Sequence, residues 1–110
     1  MLEELEKVLN YTFKNKDILK EALTHRSYNP HPHGVNNERL EFLGDSVLGM
    51  VVAGQLYNLL SEKEEGVLSK IKANLVSRKN LYFWAKKLSL GKYLLLGQGE
   101  ISSGGRERAS

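Results

Sequence analysis

Apolar residues recur at helical spacing from the first positions of the chain. Leu2, Leu5, Val8 and Leu9 fall on one face, and Ile18, Leu19, Ala22 and Leu23 do the same after a short link at residues 10–14. The pattern predicts two short amphipathic helices. Asn15, ahead of Lys16 and Asp17, is placed to cap the second, because its side-chain oxygen can accept from the unpaired N–H groups of the first turn. Tyr11 and Phe13 are expected to staple the link to the core. The stretch NPHPHGVN at 29–36 holds both prolines and a glycine, so it reads as an exposed loop.

From Asn37 to about Leu60 runs the longest periodic segment. Leu40, Leu43, Val47, Leu48, Val51, Val52, Leu56, Leu59 and Leu60 spread over more than one face, the mark of a helix buried in the middle of its fold. Residues 62–66 break it. Val67, Leu68, Ile71, Leu75 and Val76 mark another helix, and Leu81, Trp84, Ala85 and Leu88 a further one after a cap near Ser77. Gly91 is expected at a helix C-cap. Lys92 to Leu96 is a brief apolar run of undecided type, and GQGEISSGGRERAS reads as a polar, unfinished loop. The expected fold is all-α, a single domain over residues 1–110 with a long buried central helix and no internal repeat.

Composition narrows the class. A chain of 110 residues with 41% hydrophobic and 26% charged residues suits one packed globular core. The lack of cysteine excludes a disulfide framework and a thiolate zinc site. The N-terminus, MLEELEKVLN, is acidic, and nowhere do the roughly 20 apolar residues of a membrane span occur, so no membrane partner and a cytoplasmic location are expected. The net charge of +3 divides unevenly, −2 over residues 1–60 and +5 over residues 61–110. A basic half beside an acidic one suits a polyanion next to a metal-binding edge, although such lysines also serve solubility.

The candidate chemistry lies on the central helix. Glu38, Glu41 and Asp45 stand at i, i+3 and i+7, within one narrow arc. Like charges at this spacing repel, so something must neutralise them. Arg39 or lysines of the following helix could do so. So could Mg²⁺ or Mn²⁺, hard cations that take oxygen ligands and activate water for attack on a phosphodiester. Gly44 in mid-helix points to a close approach by another backbone or a substrate.

ERLEFLGDSVL at 38–48 is similar to the signature of the ribonuclease III family. THRSY at 24–28, LSKIKANLV at 68–76, LGQGE at 96–100 and GGRER at 104–108 resemble further segments of the bacterial enzymes, in the same order. The resemblance implies an all-helical nuclease domain that dimerises and cuts double-stranded RNA with Mg²⁺, leaving 5′-phosphate and 3′-hydroxyl ends. On its motif Glu41 and Asp45 fall at catalytic, metal-binding positions. Glu38 matches an acidic position tied to the dimer face and cleavage site, and Glu65 one that approaches it from the partner subunit. The family's second acidic pair, spaced D-x-x-E, and its double-stranded-RNA-binding domain are missing from these residues. The expectation is a truncated domain with little cleavage of its own. The alternative is a catalytically silent duplex-RNA-binding or dimerisation module of the same fold, or a helical scaffold with a salt-bridged stripe.

Other polar residues divide between contact and surface. His25, Arg26 and Ser27 are read as a helix end, where cations suit the dipole, and in the resemblance this segment adjoins the RNA backbone. Lys70, Lys72, Arg78, Lys79, Lys86 and Lys87 could track phosphates of an A-form duplex or form a solvated helix face. His31 and His33 read as loop residues and not as metal ligands. Tyr82, Phe83 and Trp84 read as core or dimer packing, since a duplex offers no unstacked bases.

Overall fold

The computed structural model describes residues 1–28 and 35–107. Its helices are α1 (Leu2–Leu9), α2 (Lys16–Ala22), α3 (Glu38–Leu59), α4 (Glu65–Leu75), α5 (Arg78–Lys87) and α6 (Gln98–Ser102), with a 3-10 turn at Leu90–Tyr93 before α6. No strand occurs among the described residues; Thr24 and Leu95 make a single isolated parallel bridge. The all-α expectation holds. Residues 29–34 of the segment expected as an exposed loop, His31 and His33 among them, lie outside the described residues, as do 108–110 and with them Arg108.

The predicted caps are formed by the expected groups. The Asn15 side chain accepts from the Asp17 N–H at 3.0 Å, and the Ser77 hydroxyl accepts from the Asn80 N–H at 3.2 Å. Gly91 does not cap α5. That helix closes on Leu88, the left-handed position falls to Ser89 at φ 55°, and Gly91 belongs to the 3-10 turn. Within the segment expected as an unfinished polar loop, residues 98–107 form α6 and a turn behind it. Arg106 pins that turn by donating from Nη1 to the carbonyls of Gly91 (3.1 Å) and Leu94 (2.6 Å), and Tyr82 donates its hydroxyl to the Glu107 carbonyl at 2.7 Å.

The core lies at the amino-terminal end. Leu5, Leu19, Leu23 and Tyr93 are buried together, with Leu2, Leu9, Phe13, Leu90 and Leu94 packed around them. Phe13 thus reaches the core as expected, whereas Tyr11 is exposed and only meets the Phe13 ring edge-on at 4.8 Å. Beneath them Glu6 is buried, accepting from the Phe13 N–H at 2.6 Å and from the Lys16 ammonium. These two donors tie α1 to α2 and hold the Glu6 carboxyl below the usual glutamate range, the Lys16 contact contributing most.

The central helix is not buried. Leu56 is the buried residue of α3, while Phe42 is 80% exposed, Met50 71% and Leu59 73%. A helix apolar on most sides needs partners on most sides, and here α4 and α2 cover only part of it. The radius of gyration agrees: 16.0 Å against the ~13 Å of a compact chain near this length. Gly44 likewise has no neighbour within 4 Å of a Cβ placed there, so no backbone among the described residues makes the close approach expected at that glycine.

Candidate metal centre

Glu41 and Asp45 lie one turn apart on α3 and line a cleft of about 280 Å³ whose other walls are Val76, Arg78 and Leu81. This cleft sits where α4 ends and α5 begins. Neither carboxylate has an ion-pair or hydrogen-bond partner among the described residues. Arg39 and the lysines of α4 therefore do not neutralise them by direct pairing. Arg78 faces the same cleft without forming an ion pair.

Glu38 is set apart from this pair. It lines a separate, larger hollow with Glu21, Arg39, Leu40, Phe42 and Leu43. Glu65 opens α4 at an exposed position, where its Oε1 accepts from the Ser69 hydroxyl at 2.7 Å. Lys70 is exposed. Lys72 is half-buried and lies along α3, its Cε and Nζ 3.6 and 3.7 Å from where a Cβ on Gly49 would stand.

His25, Arg26 and Ser27 are not at a helix end. α2 stops at Ala22, and these residues follow the bridge at Thr24 in a turn of their own. The His25 N–H donates to the Leu95 carbonyl at 3.0 Å and the Gly97 N–H to the Ser27 hydroxyl at 2.9 Å. His25 Nδ1 accepts from the Ser27 N–H at 3.1 Å and lies 2.7 Å from the Ser27 hydroxyl. With two donors aimed at Nδ1, a neutral imidazole carries its proton on Nε2. Arg26 stays exposed. The same turn positions α3, since the Asn37 N–H donates to the Thr24 carbonyl at 2.8 Å.

No group of three metal-ligating side chains occurs among the described residues. Two unpaired carboxylates offer the oxygen donors that a hard divalent ion prefers, but fewer than the fixed set Mg²⁺ needs to be held tightly. The donor chemistry fits; the count is partial. Arg78, one of several cations expected to track phosphates or form a solvated face, lies in the cleft because the α4–α5 corner turns it there, which no spacing along one helix reveals. Gly97, which the sequence does not single out, lies too close to Ser27 for any side chain, a Cβ falling 2.5 Å from the Ser27 carbonyl oxygen.

The family model for ribonuclease-III-like domains matches residues 15–110. The chain belongs to the ribonuclease III family. Ribonuclease 3 of Methylococcus capsulatus is 51% identical over 108 residues, covering 98% of this chain and 45% of the relative. Ribonuclease 3 of Nitratiruptor sp. is 49% identical, covering 99% and 47%. The chain thus spans about half the length of the curated relatives it matches. Two solved structures of the ribonuclease III nuclease domain from Campylobacter jejuni share its fold. One has a TM-score of 0.89 at 44% identity, covering 97% of this chain and 73% of that one; the other has 0.86 at 45%, covering 96% and 69%. The first is described for structural flexibility in the region involved in dimer formation. The helical arrangement is therefore that of a ribonuclease III nuclease domain.

Proposed function

We propose that this chain is nuclease-domain sequence of a ribonuclease III-type endoribonuclease that cuts double-stranded RNA in rRNA and mRNA processing. The observation that carries the reading is the pair of unpartnered carboxylates, Glu41 and Asp45, facing one open cleft on a ribonuclease III framework. In the reaction a water oxygen attacks phosphorus and the 3′ oxygen leaves, giving 5′-phosphate and 3′-hydroxyl ends. Glu41 and Asp45 would hold Mg²⁺, with Mn²⁺ as substitute. When bound, that ion lowers the pKa of its water and offsets charge at the phosphoryl group. Asp45 is the catalytic residue of first rank, with Glu41 beside it.

The protein acts as a homodimer, a reading supported by the apolar, exposed face of α3 and by the dimer-forming region of the Campylobacter jejuni relative. Glu38, in the hollow beside exposed Phe42 and Leu43, belongs to that face, and Glu65 approaches it from the partner subunit. His25, Arg26, Ser27, Lys70 and Lys72 contact the RNA backbone. No helix among the described residues is long and apolar enough to cross a membrane, which accords with work in the cytoplasm. The one rival is a silent duplex-RNA-binding module of the same fold.

Cutting of a long RNA duplex in Mg²⁺ by the whole natural polypeptide carrying these residues decides between them. The enzyme reading expects 5′-phosphate products and a loss of at least about a hundredfold in rate with Asp45→Asn. Duplex binding without cutting supports the silent module. These 110 residues alone are expected to cut slowly or not at all.

A further inference from the structure

We infer that Arg78 binds a backbone phosphate of the cut RNA strand at the lip of the Glu41–Asp45 cleft. The inference rests on the endonuclease reading and assigns the side of the cleft that faces the substrate. A cleft walled by two carboxylates repels a phosphodiester, so a protein cation beside them is needed to bring the strand within reach. Arg78 is exposed, lines that cleft, and has no ion-pair or hydrogen-bond partner for its side chain among the described residues. Its own helix, RKNLYFWAKK, holds no acid to draw it away.

Several neighbouring cations are already engaged. Arg106 serves the carbonyls of Gly91 and Leu94, Lys92 pairs with Glu4 at 2.7 Å, and Lys86 and Lys87 sit over aromatic rings of α5. A guanidinium also matches two phosphate oxygens with its planar fork, which an ammonium does not. The alternative role is an internal counter-ion for Glu41 and Asp45. The two roles differ in sign at the metal, because a counter-ion competes with a bound cation and a phosphate ligand does not.

The test uses the whole natural polypeptide carrying these residues. Duplex RNA affinity is measured without divalent metal over a salt series, and Mn²⁺ affinity separately without RNA. Arg78→Ala is expected to weaken RNA binding about tenfold and to reduce the slope of log affinity against log salt by about one. Arg78→Lys should restore the slope but only part of the affinity, and Mn²⁺ binding should stay unchanged in both. Arg78→Gln repeats the loss of charge with chain length kept. RNA affinity and salt slope equal to those of the unaltered protein overturn the inference, as does Mn²⁺ binding that tightens while RNA binding holds. Duplex binding without any cutting by the unaltered protein in Mg²⁺ instead overturns the endonuclease reading, whatever Arg78→Ala does.

Discussion

The Gly97 N–H donates to the Ser27 hydroxyl at 2.9 Å and joins residues seventy positions apart. Around this bond the turn after α2 is held on three sides: by Leu95, by Gly97 and by Asn37 at the start of α3. The position of the signature helix therefore depends on a contact with the far end of the chain. A Cβ at residue 97 falls 2.5 Å from the Ser27 carbonyl oxygen, so Gly97→Ala forces the two segments apart. We expect it to cost about 1–3 kcal/mol, and Ser27→Ala, which leaves the Gly97 N–H without its acceptor, about 1 kcal/mol. Urea unfolding midpoints at constant slope measure both.

Acid should loosen the other end of the domain. Lys16 first and the Phe13 N–H second hold the Glu6 carboxyl below the ordinary glutamate value of 4.5. The native pKa is the depressed one, so this contribution to stability is fully present above about pH 4.5 and is lost as the pH falls through the native value. Glu6→Gln removes the titrating group. The gap in unfolding midpoint between the unaltered chain and the variant should narrow as the pH drops below 4.5 and stay constant above it.

The exposed face of α3 gives a prediction about association and not about folding. Phe42 is 80% exposed and Met50 71%, so Phe42→Ser and Met50→Ser remove little burial within one chain. Their melting temperatures as monomers should match that of the unaltered chain, while sedimentation should show a weaker dimer. A loss of monomer stability above about 1 kcal/mol would place these side chains in the chain's own core and count against the dimer face.

Metal binding by the 110 residues themselves should be weak and confined to one cleft. Paramagnetic Mn²⁺ titrated into the chain is expected to broaden resonances of Glu41, Asp45, Val76 and Leu81, which share the cleft, and to leave Glu38 and Glu65 less affected. Asp45→Asn should abolish the selective broadening.

What was legible along the chain was local. Asn15 and Ser77 announce helix starts because the capping bond spans two or three residues, and the elements behind them follow from the spacing of Leu and Val. Glu41 and Asp45 were legible for the same reason, being one turn apart. Burial of α3 was misjudged because its apolar pattern reports that surfaces need covering, and not whether this chain covers them. Glu38 was grouped with Glu41 and Asp45 by arc alone, yet its neighbours come from α2, and theirs from α4 and α5. Arg78, Gly97 and the docked turn at Arg106 depend on contacts between distant segments. Charge and glycine content give no address for these.

The bridge between Thr24 and Leu95 also carries a consequence for the order of folding. It closes a loop that contains all of α3, α4 and α5, whose mutual contacts are between sequence neighbours. Local contacts form early and loop closure over such a separation adds an entropic barrier. The three helices bearing Glu41, Asp45 and Arg78 are thus expected to associate before the chain ends meet. The closing of Leu95 and Gly97 onto residues 23–27 is expected to come late, so Gly97→Ala should speed unfolding more than it slows folding.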